Sequence, residues 1–280
     1  MLSVFYCLNA VILVSYGKGG RMKKLLLKLR YLFARFKGNN GVSGRVSNET
    51  KVDIPKADEK PPIVVIPDEP AKIGHKLLWY PKAKIVKGMK AQGSYPDNYA
   101  KGAVVHYSAS RDDNDQHAID MMEWGKSQGY AYFTIAPSGL VIQSIPLNLW
   151  GSHCGVSAWP GLGTRLSSKL VGIEVVCAGL LDNNNKAWFG KVYSPDQVRT
   201  VTKDQYGVSG KFKKYTKEQE IALFELLKWL HDNNPEVFNY DYVLAHMEVA
   251  PDRKTDCGGS LSVNMKTLRQ ALKSGKNPFV

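Results

Sequence analysis

VGIEVVC, residues 171–177, reads as apolar on both faces and is interrupted by a single carboxylate, Glu174. A strand of that kind is covered on both sides, so it belongs in the middle of a sheet. Working outward, AVVHY at 103–107 is a second short apolar strand. A turn-like stretch, 108–113, and a helical stretch from about Asp115 to Ser127 follow it. Tyr132 to Ile135 and Leu140 to Ile145 flank Pro137, Ser138 and Gly139, which predicts a β-hairpin. Tyr215 to Asn233 places Ile221, Leu223, Phe224, Leu227 and Leu230 at helical spacing, and Thr216 stands three residues before Gln219 as a capping box. Asp241 to Ala245 gives a last strand and Asn264 to Lys273 a closing helix. Strands interleaved with helices in this order predict an α/β fold, with a single central mixed β-sheet flanked by helices.

The chain has 280 residues, of which 44% are hydrophobic, enough for one large domain with an appendage. Its net charge of +13 is uneven: residues 1–75 hold 13 Lys/Arg against 6 Asp/Glu, and residues 76–280 hold 25 against 19. A basic surface suits any polyanion, so charge alone selects no partner. The cysteines, Cys7, Cys154, Cys177 and Cys257, form no C-x-x-C pair, which argues against a zinc ribbon or a disulfide framework.

Leu2 to Tyr16 is largely apolar but short of the roughly 18 residues that usually span a bilayer. After it, MKKLLLKLRYLFARFK (22–37) repeats Leu25, Leu29, Leu32, Phe33 and Phe36 at helical spacing among lysines and arginines, the pattern of a basic amphipathic helix. Such a helix lies on an anionic membrane surface or packs on its own domain. Residues 38–75 are rich in Gly, Asn, Ser and Lys and then in Pro, the composition of a disordered linker. The expected division is therefore 1–37, 38–75 and a folded domain over 76–280.

His106 ends one predicted strand, His246 ends another, and Asp256 follows in the next loop. Two imidazoles and a carboxylate make a catalytic zinc site with one position left for water. The same trio also forms the facial triad of iron oxygenases. His75, His117 and His231 have no comparable context and read as surface or helix-face residues.

The words around these residues carry a resemblance. HMEVAPDRKTDCGG (246–259) resembles the zinc-binding segment GHxDIAPxRKTDPG of the type 2 N-acetylmuramoyl-L-alanine amidases. VVHYSAS (104–110), WGSHCGVSAWPG (150–161) and LVGIEVV (170–176) resemble three further blocks of that family, in the same order. The fold implied is that of phage amidase lysozymes and peptidoglycan recognition proteins.

The resemblance implies Zn2+ held by His106, His246 and Asp256, with Glu174 and Lys254 as catalytic residues. An amide is a poor electrophile and water a poor nucleophile, and one zinc ion addresses both problems. Glu174, desolvated among Ile173, Val175 and Val176, is the expected general base, and Lys254 would place a cation beside the developing oxyanion. His153 is expected to line the cleft and touch substrate, or else to be a core histidine or one standing behind the ligands.

Three departures stand out. Cys257 replaces the family's proline and brings a second potential zinc ligand next to Asp256. Counting back from Phe133 puts Ala131 where a tyrosine is usual, leaving Tyr132 or Tyr130 as the substrate-contacting substitute. Lys191 to Lys214 matches nothing in the pattern and looks like an insertion.

The implied activity is hydrolysis of the amide between N-acetylmuramic acid and L-alanine in peptidoglycan, in a lytic, endolysin-type enzyme acting on the bacterial cell wall. The alternatives are a peptidoglycan-binding module that does not cut and a cytosolic amidase that recycles anhydro-muropeptides. Expected partners are peptidoglycan and, through the basic helix, an anionic membrane surface. No nucleic acid is expected, and the chain should be monomeric.

Overall fold

The computed structural model describes residues 2–7, 10–15, 72–73, 76–130 and 133–280. The chain divides into two units, Met1–Lys60 and Pro61–Val280. In the first, Leu2–Cys7 pairs antiparallel with Ala10–Ser15. The expected basic helix at 22–37, nearly all of the linker, His75 and Tyr132 lie outside the described residues. Among the described residues, no helix is long and apolar enough to cross a membrane.

The second unit is built on a six-stranded mixed sheet. Its strands are β1 (Lys84–Ile85), β2 (Ala103–Tyr107), β3 (Phe133–Ile135), β4 (Val141–Gln143), β5 (Val171–Val175) and, near the C-terminus, β9 (Val243–Ala245). Their order across the sheet is β9-β2-β5-β3-β4-β1. β5 runs parallel to β2 on one side and to β3 on the other, so the stretch that reads as central is central. β9 is parallel to β2, and β3 and β4 form the expected antiparallel hairpin.

Alternation along the strands separates two cores. Ala103, Val105, Val171, Ile173, Val175, Val243 and Ala245 face one side. There they meet Leu223, Leu227 and Leu230 of a helix at Lys217–Asn233 and Leu268 and Leu272 of a helix at Met265–Ser274. Each fully buried leucine of this kind contributes roughly 1.5–3 kcal/mol. Val104 and Leu244 face the other side, under Cys154, Leu162, Leu166 and Leu170. The helix at Asp115–Gln128 covers Ile142 on that same face.

The helix ends follow their sequence signals. Asn114 Oδ1 accepts from the His117 amide at 3.1 Å, and Gly129 closes that helix at φ 77°. Thr216 and Gln219 make the reciprocal capping box, at 3.1 and 3.0 Å.

Two stretches of the unmatched segment join Leu180–Leu181 before it in a small antiparallel sheet, β6 (Leu180–Leu181), β7 (Val198–Val201) and β8 (Gly210–Lys213), with β8 in the middle. The loop between β6 and β7 docks on the turn after β2. Tyr193 Oη donates to Asp112 Oδ1 at 2.7 Å, and Trp188 Nε1 donates to the Ala109 carbonyl at 2.7 Å.

Candidate metal centre

The three predicted ligands come together. His106 is the fourth residue of β2, and His246 opens a one-turn helix, His246–Val249, immediately after β9. Because β2 and β9 are adjacent and parallel, their C-terminal ends bring the two rings into contact. Asp256 lies on the following loop, which is tied back by the Met247 amide donating to the Asp256 carbonyl at 2.7 Å.

His106 Nδ1 lies 2.8 Å from His246 Nδ1, and Asp256 Oδ2 lies 3.0 and 2.9 Å from those two nitrogens. All three residues are buried, and they form the group able to hold a metal ion among the described residues. Two imidazoles and a carboxylate converging on one point are the donor set zinc takes. The outward nitrogens are held by protein groups, as is usual for metal-ligating histidines. His246 Nε2 meets the Cys154 carbonyl at 3.1 Å, and His106 Nε2 meets His153 Nδ1 at 3.2 Å.

Protonation states agree with this fit. Burial, reinforced by the charge of His246, lowers the His106 pKa to about 3, so the ring is neutral. Burial works to raise the Asp256 carboxyl, but its hydrogen bonds with His106 and His246 outweigh that and hold it well below the usual carboxylate range. A neutral imidazole and an ionised carboxylate are the forms a cation requires.

Glu174 is paired in register with His106 across β5 and β2, which puts both side chains on the same face. It is 8% exposed, and its Oε2 has no hydrogen-bond partner among the described residues. Burial, then the charge of Asp256, pushes its pKa well above the ordinary carboxylate value, with Lys254 pulling the other way. Lys254 therefore lies close enough for its charge to act on Glu174. Cys257 is turned from the centre. Its Sγ rests 3.7 Å from Met265 Sδ in the apolar core, and burial pushes its thiol up.

His153 is not in an open cleft. It is 4% exposed, with one ring nitrogen on His106 and the other, Nε2, 2.9 Å from the Leu170 carbonyl. It stands behind the ligand, and both its nitrogens are engaged. Burial works to lower its pKa, and the neighbouring Cys154 thiol raises it on balance. Tyr132 is outside the described residues. Tyr130 packs its ring on Trp124 at 5.9 Å and bridges to Ser152.

Residues 96–259, more than half of the chain and the stretch holding every one of these site residues, match the family model described as N-acetylmuramoyl-L-alanine amidase. The chain belongs to the N-acetylmuramoyl-L-alanine amidase family. It is 27% identical over 173 residues to N-acetylmuramoyl-L-alanine amidase AmiD of Escherichia coli (strain K12), covering 60% of this chain and 52% of that protein. The chain thus spans about half the length of that relative.

Among solved structures, a selenomethionine derivative of AmpD matches with a TM-score of 0.47 and 21% identity over 69% of this chain and 96% of that one. E. coli AmiD in complex with the substrate anhydro-N-acetylmuramic acid-L-Ala-D-gamma-Glu-L-Lys matches with a TM-score of 0.44 and 23% identity, over 65% and 60%.

Some contributors to this amidase-family site escape a reading by residue type. Arg253 Nη2 donates to the carbonyls of Cys154 and Val156 at 2.9 and 2.7 Å, fastening the 153–156 segment to the loop that carries Asp256. Tyr215 Oη donates to the His106 carbonyl at 3.1 Å. Arg253 stands inside the 246–259 segment that carries the resemblance, and a loop arginine of that kind reads equally well as a surface charge.

Proposed function

We propose that this chain hydrolyses the amide bond between N-acetylmuramic acid and L-alanine in peptidoglycan, using Zn2+ held by His106, His246 and Asp256. The observation that carries this reading is the triangle of three buried donor atoms, 2.8–3.0 Å apart, beside a buried carboxylate with an unsatisfied oxygen. When bound, the ion makes water a nucleophile near neutral pH and polarises the amide carbonyl. Glu174 takes the proton from the attacking water and delivers it to the departing alanine nitrogen. Its desolvation makes it a stronger base than an exposed glutamate. Lys254 supports the negative charge that develops on the carbonyl oxygen.

Mass spectrometry of products from purified peptidoglycan tests the reaction. The expected products are free stem peptides beginning with L-alanine and glycan strands stripped of peptide. Cleavage between sugars or between amino acids would refute the reading.

The lytic, endolysin-type role on the cell wall is supported by the excess of cationic residues at 1–75, which suits anionic membrane or wall as partner. A monomer acting outside the cytoplasm fits this role. Intact sacculi and soluble anhydro-muropeptides digested side by side separate it from recycling: a lytic enzyme releases peptides from sacculi, and a recycling amidase cuts only the soluble substrate. Retention of both histidines, Asp256, Glu174 and Lys254 favours cleavage over binding alone.

A further inference from the structure

The geometry points to the dipeptide His153–Cys154 as a brace that fixes the tautomers of both imidazole ligands, His106 through the His153 ring and His246 through the Cys154 carbonyl. The inference rests on the zinc reading above and assigns His153 a positioning role.

A carbonyl oxygen only accepts hydrogen bonds. The Leu170 carbonyl, 2.9 Å from His153 Nε2, therefore requires the proton on that nitrogen. In the neutral ring Nδ1 is then an acceptor, and its partner at 3.2 Å, His106 Nε2, must be the donor. With zinc bound, that leaves His106 Nδ1 as the lone pair offered to the ion, and it is this atom that faces His246 and Asp256. The second branch is independent. The Cys154 carbonyl, 3.1 Å from His246 Nε2, requires the proton there and, with zinc bound, leaves the His246 Nδ1 lone pair aimed at the same point. The opposite tautomer of either ring would aim an N–H at the cation.

The dipeptide is itself pinned on several sides. The amides of His153 and Cys154 both donate to Ser167 Oγ, at 3.2 Å each. Arg253 holds the Cys154 carbonyl from the loop carrying Asp256. The His153 ring lies across Gly172 of β5, where an added Cβ would stand 2.7 Å from His153 Cγ and 3.0 Å from Nδ1. Gly172 thus leaves the slot that lets the ring reach His106.

The test is a pair of readouts on the full-length protein. Long-range proton–nitrogen correlation spectra of the zinc-loaded, 15N-histidine-labelled chain should show a protonated Nε2 and a zinc-bound Nδ1 for both His106 and His246. In His153→Phe, which fills the space but cannot accept a hydrogen bond, the His106 Nε2–H signal should shift and broaden while that of His246 stays fixed. Zinc affinity measured by chelator competition should fall about 10–100-fold, the usual cost of losing such a partner. Gly172→Ala should have the same signature, with no hydrogen-bonding group removed. His153→Asn, which keeps an acceptor near the Nδ1 position, should recover part of the affinity.

Wild-type His106 protonated on Nδ1, a doubly protonated His153 at neutral pH, or a His153→Phe protein that binds zinc as wild type does would each overturn the brace. If His153→Phe does not fold, the wild-type spectrum and the His153→Asn affinity still decide. A wild-type chain that binds no zinc would refute the zinc reading, whereas wild-type zinc affinity in both His153→Phe and Gly172→Ala would refute the brace and leave the zinc reading standing.

Discussion

Glu174 stands beside His106, paired in register across two parallel strands, so the candidate base and a candidate ligand project from the same face of one rigid sheet. β5 and β2 are adjacent interior strands of the sheet, and their relative position is set by both cores rather than by a loop. A site built this way should separate metal binding from proton transfer when single residues are changed.

Glu174→Gln keeps the shape and removes the base. Activity on muropeptides should fall about 10²–10⁴-fold, while metal content stays at that of wild type. His246→Ala, in contrast, should lose metal and activity together. Metal analysis of the two variants alongside their rates checks this, and a metal-free Glu174→Gln protein would move Glu174 into the ligand set.

The same carboxylate predicts a pH dependence. Its folded-state pKa is raised from the ordinary 4.5, so between those two values the native chain holds a proton that the unfolded chain has released. Stability contributed by that proton falls as pH rises through the window. In the metal-free protein the melting temperature of Glu174→Gln should match wild type below about pH 4.5 and exceed it increasingly as pH climbs. A temperature gap that is flat with pH would contradict the burial argument.

Lys254→Ala should give a slow enzyme that still carries zinc. Loss of one oxyanion-supporting donor typically costs about 2.7–4 kcal/mol, or 10²–10³ in kcat. Zinc lost along with activity would mean that Lys254 holds the loop bearing Asp256 instead.

Zinc should also stabilise the fold, since the donors converge only in the native state. At a free concentration a thousand times Kd the gain is about 4 kcal/mol, read as a rise in thermal midpoint that chelator reverses. His106→Ala should show no such rise.

Five of the sheet's six strands were legible because they are short apolar runs bounded by turn residues, as in AVVHY and VGIEVVC, and the Thr216–Gln219 box marks its helix plainly; the two-residue edge strand Lys84–Ile85 carries no such signal. His106, His246 and Asp256 were legible through their motif blocks. The direction a side chain takes was not. Whether His153 faces the cleft or stands behind a ligand is open in the sequence, where nothing shows Gly172 beneath its ring, and Cys257 reads as a rival ligand until the loop turns its sulfur onto Met265. The strands of the unmatched segment, such as GKFK at 210–213, are too polar and too short to announce themselves, and their pairing is long-range.

The central claim is that two imidazoles and Asp256, with no thiolate, hold the metal. A zinc-edge X-ray absorption spectrum of the zinc-loaded protein tests it most directly. The account predicts imidazole and carboxylate scattering from nitrogen and oxygen at about 2.0–2.2 Å, with no sulfur. A sulfur shell at about 2.3 Å would put Cys257 in the site in place of Asp256, and a protein that takes up no zinc would contradict the account altogether.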